Sequence, residues 1–439
     1  MTSLRHQDPN KNRPDYKKTK VGWIPKDWVC SPLVKSLDSI IDYRGKAPIK
    51  APSGVTLITA RNIRKGYIDF SAGRECIPEK EYDTWMRRGI PRAGDLLFTT
   101  EAPLGNAAMF PNVGRYALAQ RVIALRGKPK TLSGMFLMFY LLSPRGAKEV
   151  QTLGTGSTAK GIKQSALKTL PLLLPLFPEQ NKIAEIISTW DEAIEQTRKL
   201  IEARKRRKRG LMQQLLTGKK RLPGFAKSRG RHMTPLGALP LDWPLRHLGD
   251  VFGKVKRKNN AGMTVVLTAS GEHGLVDQQT YFTKSVSGQD LSTYYLLKRG
   301  EFAYNRSAMN GYPYGAIKRL DQHEAGVLSI LYSCFSLQNK DCVSDFYMHF
   351  FEAGLLNRQL RAIAQVGGRA HGLLNVADSD FYAVRIPVPS KAEQQAIAAV
   401  LQTADEEVAK LEAKLAALET QKRGLMQKLL TGTVRVKAG

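Results

Sequence analysis

The sequence predicts an α+β protein built twice: two globular domains, each leading into a long α-helix, with the two helices paired as an antiparallel coiled coil about a pseudo-two-fold axis. Three observations predict it. A helical pattern over Glu179–Gly218 returns about 214 residues later at Glu393–Gly432. Both copies close on nearly the same words, KRGLMQQLLTG at Lys208–Gly218 and KRGLMQKLLTG at Lys422–Gly432. The domain entrances repeat as well, Gly22-Trp-Ile-Pro25-Lys-Asp27-Trp28 against Gly237-Ala-Leu-Pro240-Leu-Asp242-Trp243. A repeat of that length is too long for a solenoid unit and fits a whole domain plus a helix.

The helices come first because their pattern is the most regular. In the first copy Ile183, Ile187, Trp190, Ile194, Thr197, Ile201, Arg204, Lys208, Leu211 and Leu215 follow one another in alternating steps of four and three. The second copy keeps the phase with Ile397, Leu401, Ala404, Val408, Leu411, Leu415, Leu418, Lys422, Leu425 and Leu429. Such spacing is the seam of a coiled coil. At 1.5 Å per residue each helix is about 57 Å long, a spacer rather than a core element. Two such helices in one chain should bury their seams on each other, and a two-fold relation would place the globular domains at opposite ends. The run Arg204–Arg209 is entirely cationic. It reads either as long side chains snorkelling past the seam or as a basic collar facing nucleic acid, the second reading favoured by the basic loop that follows.

The pattern divides the chain into a flexible basic arm (1–21), a first domain (22–174), a first helical spacer (175–222), a basic linker (223–236), a second domain (237–388) and a second spacer (389–436). Strands are expected at Val55–Ala60, Leu96–Thr100, Arg121–Leu125 and Leu170–Leu174, and again at Thr264–Ala269, Glu301–Asn305, Val327–Leu331 and Ala383–Pro387. Helices are expected at Ser133–Leu153 and Ser344–Val366. The entrance tryptophans are read as core anchors.

Composition narrows the partners. Lys and Arg number 68 against 38 Asp and Glu, a net charge of +30, which calls for a polyanion. Charge alone leaves a ribosomal, membrane-surface or heparin-like partner open. The four cysteines form no CxxC pair and the seven histidines no triad or ligand set, so a metal site is not expected. A signal peptide and a membrane-length apolar run are both missing, which places the protein in the cytoplasm. No Pro-Pro dipeptide is present, so the signature of amino-methyltransferases is excluded, and no complete P-loop or dinucleotide loop exists. Glu412-Ala-Lys414 resembles part of a nuclease motif but sits on the helical pattern as a solvated face. No catalytic apparatus is expected.

Each domain leaves through a glycine-bearing polar loop, Gly154–Gly161 or Gly367–Gly372. The first is a near miss for a P-loop, with Ala159 and Gly161 at the wrong places. DNA contact through Lys160, Lys163, Arg369 and His371 and an ordinary surface turn are evenly matched readings of these loops. Other polar loop residues suited to bases or phosphates are Arg61, Asn62 and Arg64 in the first domain, and Asn305, Arg306 and Tyr312 in the second.

The ordered set of motifs resembles the specificity subunit of type I restriction–modification systems. The matching residues are the two Gly-x-x-Pro-x-Asp-Trp entrances, Gly94-Asp-Leu-Leu-Phe98 with Glu101-Ala-Pro-Leu-Gly105, and Asn310-Gly-Tyr-Pro-Tyr-Gly315. Gly161-Ile-Lys-Gln-Ser165, the Glu179-Gln180 and Glu393-Gln394 helix starts and the Leu-Leu-Thr-Gly helix ends complete it. The resemblance implies two target recognition domains, each reading half of a bipartite asymmetric site in double-stranded DNA. It implies that the paired helices set the half-site spacing and dock two methylation subunits, which use S-adenosylmethionine. Two restriction subunits using ATP and Mg2+ would join the full complex, and the chain itself would bind no cofactor. A free-standing DNA-binding regulator and an RNA-binding or structural coiled-coil protein remain the rival readings.

Overall fold

A computed structural model describes residues 10–11, 13–156, 160–226, 228, 230–260, 262–271, 273–281, 290–309, 311–366 and 374–437. Two units result, and the division falls inside both long helices, Phe177–Leu215 and Lys391–Leu430. The first unit takes the chain through Arg198 together with the segment from Ala413 onward; the second takes Lys199–Glu412. Each long helix contributes roughly half its length to each unit.

The heart of the first unit is a four-stranded antiparallel sheet ordered Leu37–Asp42, Val122–Gly127, Leu96–Thr99, Ala107–Met109. Successive strand residues face opposite sides. Leu96, Phe98, Ile123 and Leu125 join one core with Trp28, the helix Gly134–Leu142 and both long-helix segments. Leu97, Val122 and Ala124 join a second core with Val55, Leu57 and Ile58. Burial on both faces explains why Leu96–Thr99 is an unbroken buried run instead of an alternating one. The second strand group is Glu75–Ile77, Val55–Ile58 and Tyr116–Leu118, the last two parallel.

The second unit repeats the plan with different residues. Its sheet runs Phe252–Lys254, Tyr332–Leu337, Phe302–Asn305, Ala316–Arg319. One face carries a dense aromatic core in which Phe252, Phe302, Phe335 and Phe351 meet edge to face and in stacks. The other face buries Ala303 and Cys334, whose thiol burial pushes up to about 12.

Several sequence expectations change. Ser133–Leu153 is two helices, Gly134–Leu142 and Pro144–Leu153, because Pro144 cannot continue the first and starts the second, with the Ser143 hydroxyl accepting from the Gly146 N–H. Ser344–Val366 likewise divides at Gly354 (φ +66°) into Ser344–Glu352 and Asn357–Ile363. Of the arm expected to be flexible, Tyr16–Thr19 is a strand paired with Gly22–Pro25. Tyr16 is buried and donates its hydroxyl to the Gly432 carbonyl at 2.5 Å, so the C-terminal tail fixes it. Within the expected basic linker, Arg231–Thr234 pairs with Gly237–Pro240 in the same way.

In each unit the two helix segments run antiparallel. Arg198 meets Glu419 at 2.5 Å and Lys422 meets Asp191 in the first unit. Lys205–Glu412 (2.7 Å), Arg204–Glu407 (3.5 Å) and Lys208–Asp405 do so in the second. From Asp191–Lys422 through Arg198–Glu419 to Lys208–Asp405, the partner's number falls as the residue number rises. Ile183, Ile187, Ile194, Ile201, Leu215, Ile397, Leu401, Val408 and Leu429 are buried, while Trp190, Leu211, Leu411, Leu415, Leu418 and Leu425 are half-buried. Half of the Arg204–Arg209 run is thus neutralised by the opposite helix, and only Arg206, Arg207 and Arg209 are exposed.

Candidate nucleic-acid interface

Each unit is closed by one repeated lock that ties its entrance to the start of one long helix and the tail of the other. Trp28 is fully buried and donates its indole N–H to the Glu179 carboxylate at 3.1 Å. Arg435, three residues beyond the second helix's terminal glycine, bridges Glu179 (2.7 Å) and Asp27 (2.6 Å). In the second unit Trp243 donates to Glu393 at 3.0 Å, and Arg221 bridges Glu393 (2.5 Å) and Asp242 (2.8 Å). The carboxylates hold both guanidinium groups firmly charged, their bonds outweighing the cost of burial. Neighbouring glutamines finish the joint: Gln180 accepts from Ser133 N–H and donates to Thr131, and Gln394 accepts from Val343 N–H and donates to Pro389.

Glycine is required where the helix tail turns onto this lock. Gly218 and Gly432 have φ of +58° and +71°, and a Cβ would stand 2.5 Å from Pro240 Cγ or 2.6 Å from Pro25 Cδ. The left-handed turn and the close approach both exclude a side chain.

On this frame the first unit gathers four loops at the end of strand Leu96–Thr99. Ile162 N–H donates to Thr100 O at 2.9 Å, Thr100 N–H donates to Arg121 O at 3.0 Å, and Gly161 pairs with both Thr155 and Glu101. The result is an open polar recess of about 430 Å3 lined by Arg44, Glu101, Gln120 and Lys163 among others. Arg44 is tied to Asp42 and to the Ile162 carbonyl, which pins the exit segment in place. The second unit makes the same join with other residues: Leu374 N–H donates to Arg306 O at 2.7 Å at the end of strand Phe302–Asn305.

The sequence-nominated residues divide. Lys160 and Lys163 are exposed beside the recess, and Arg61 is exposed on its own loop. Arg64 is half-buried and reaches Asp69 at 3.4 Å. Asn62 is corrected to a structural role: it is buried, accepts from Thr59 N–H and donates to the Asp69 and Gly73 carbonyls, so its amide is spent on holding its loop. In the second unit Asn305 accepts from Ser307 N–H, Arg306 donates to Leu331 and Val376 carbonyls, and Tyr312 donates to Glu352. All three are engaged in shaping that edge. Arg369 and His371 lie outside the described residues. Sequence reasoning missed Glu101, Gln120 and Arg121, whose approach to the exit loop depends on sheet order.

Two further features bear on chemistry. Among the described residues no group of three His, Cys, Asp or Glu side chains could hold a metal, and no helix is long and apolar enough to cross a membrane. His349 lies 3.7 Å from Asp405, but burial outweighs that carboxylate and pushes the imidazole down to about 4, leaving it neutral at neutral pH.

A family model described as the type I restriction modification DNA specificity domain matches residues 87–203 and 240–420. The type I restriction enzyme MjaVIII specificity subunit of Methanocaldococcus jannaschii is 23% identical over 431 residues, covering 94% of each chain. The crystal structure of the S subunit of a type I restriction–modification system from M. genitalium is similar with a TM-score of 0.52 at 14% identity, covering 96% of this chain and 98% of that one. A chain from a structural study of complex assembly and conformational transition of the type I R-M system also gives 0.52 at 14% identity, covering 94% and 99%.

Proposed function

Because this chain belongs to the type I restriction modification DNA specificity family, with two specificity domains and no catalytic role, we propose that each unit reads one half of a bipartite asymmetric site in double-stranded DNA. The paired helix segments set the distance between half-sites and dock two methylation subunits, which bring S-adenosylmethionine. Two restriction subunits, using ATP and Mg2+, complete the assembly in the cytoplasm. The observation that carries this reading is the same backbone join of exit segment to central strand made twice on unlike residues, in two units closed by the same Trp–Glu–Arg lock. A repeated frame with divergent edges is what two different half-sites require. The excess of cations supplies the sequence-independent part of binding through counterion release.

The test is a methylome of cells expressing the chain with the methylation subunits encoded beside it. Methylation should fall at two defined half-sites separated by a fixed, non-specific gap. Exchanging Gly54–Ser165 for the matching region of a relative should alter one half-site and spare the other. A single contiguous motif, or a site footprinted by the isolated chain without partners, would instead favour a free-standing regulator. Preference for RNA over duplex DNA in direct competition would exclude both.

A further inference from the structure

The polar recess of the first unit has side chains left over once its own framework is satisfied. Gln120 is half-buried, and its amide makes no hydrogen bond among the described residues. Arg121 is paired with Glu101, its Nε 2.8 Å from the carboxylate, with both side chains close to half exposed. Its two terminal nitrogens donate no hydrogen bond among the described residues. The backbone under them is fixed, since the Arg121 carbonyl accepts from both the N–H and the hydroxyl of Thr100. Gly161 comes so close to Glu101 that a Cβ would sit 3.4 Å from the Glu101 Cβ.

Other ligands fit this recess poorly. Glu101 is the sole carboxylate among its described lining residues and is already paired with Arg121, so a cation lacks ligands. Arg44 is occupied by Asp42 and Ile162, which leaves Lys163 as the uncommitted cation among the described lining residues, too little to converge on a small anion. The recess is wide and polar, unlike an enclosed apolar pocket. What it does offer is the Gln120 amide, with one donor end and one acceptor end, and next to it in the chain, at the edge of the recess, the exposed Arg121 guanidinium paired with the lining residue Glu101. Those are the groups that match adenine N6/N7 and guanine O6/N7 in the major groove.

We propose that Gln120 and Arg121 are specificity-determining residues of the first unit, Gln120 specifying an A·T pair through adenine and Arg121 a G·C pair through guanine. Glu101 acts as a positioning residue that keeps the Arg121 fork pointed outward, and Lys160 and Lys163 take flanking phosphates. The proposal rests on the reading of the two units as DNA readers and deepens it by naming the base-reading edge of one.

The experiment is selection from a random duplex library at fixed salt, using the full chain bound to its methylation subunits. Wild type should select two half-sites, one of which requires an A·T and a G·C pair. Gln120→Ala should lower discrimination at that one A·T position by roughly tenfold or more, and Arg121→Lys should do so at the G·C position. Gln120→Glu, which keeps side-chain size, should move the A·T preference toward cytosine, a gained preference that misfolding cannot produce. Lys163→Ala should weaken all sequences alike. The proposal is overturned if these variants keep every base requirement, or if Gln120→Glu and Arg121→Lys weaken all sequences equally. A wild-type complex that selects no bipartite site would overturn the underlying reading instead.

Discussion

At the scale of the residue, Arg221 and Arg435 do the same work in different surroundings. Arg221 is only 10% exposed and faces a Glu393 that is 2% exposed, while Arg435 is 38% exposed. Removing one partner of a buried pair leaves the other charge desolvated and uncompensated, at a cost of about 3–5 kcal/mol. Arg221→Ala should therefore loosen the second unit strongly, and Arg435→Ala should loosen the first by somewhat less, because Arg435 and its partner Asp27 are partly exposed although Glu179 is nearly as buried as Glu393. Arg221→Lys should rescue little, since one ammonium cannot bridge two carboxylates as the fork does. Amide hydrogen exchange across Leu239–Trp243 measures this; unchanged protection in Arg221→Ala would contradict it. The motifs on either side of the lock were legible in the sequence, but the arginines were not. They lie in basic stretches where composition singles out no one cation, and Arg221 meets Glu393 from 172 residues away. Asn62 shows the opposite failure, a polar loop residue whose chemistry suits a base but whose amide is consumed inside the protein.

The long helices were the most legible elements, because a four-and-three spacing carried through so many steps leaves little else to build. Helix bounds came out within a few residues at each end. Two helices cannot enclose a whole seam, so positions near the middle, such as Leu415, keep one flank open while those embedded in a domain core, such as Ile183, are wholly covered. Ile183→Ala should cost about 2–4 kcal/mol and Leu415→Ala about 1 kcal/mol. Equilibrium denaturation of the two variants side by side checks the ranking, and equal losses would contradict it. The basic run illustrates what periodicity misses. Its phase put Arg204 and Lys208 on the seam, yet only the antiparallel register shows acids opposite them. Strand positions in the globular parts were readable from apolar runs, whereas the sheet order was not, since Leu37–Asp42 pairs with Val122–Gly127 across most of the domain. The recess depends on that order, which is why Gln120 was not singled out although Lys163 was.

For the whole molecule, the division of each helix between two units matters most. The first unit is assembled from both ends of the chain, with Tyr16 and Asn10 bonded to the carbonyls of Gly432 and Thr431. The second unit is one uninterrupted stretch, Lys199–Glu412. Ending the chain after Leu430 removes Arg435 and the turn at Gly432, so Glu179 loses its cation and Tyr16 its acceptor. Limited proteolysis of that truncated form should cut within residues 22–198 while 199–412 resists. Equal resistance of both stretches would refute the dependence. The sequence showed the duplication plainly, including its entrances and tails, but not that the tail of each repeat locks the entrance of the other.

This arrangement sets a timetable for synthesis on the ribosome. The stretch through Arg198 is translated first yet must wait, with Glu179 uncompensated, until codon 435 has been read. The half made later has every one of its parts to hand sooner. A nonsense change at any codon from 431 to 435 would therefore strike the portion made earliest.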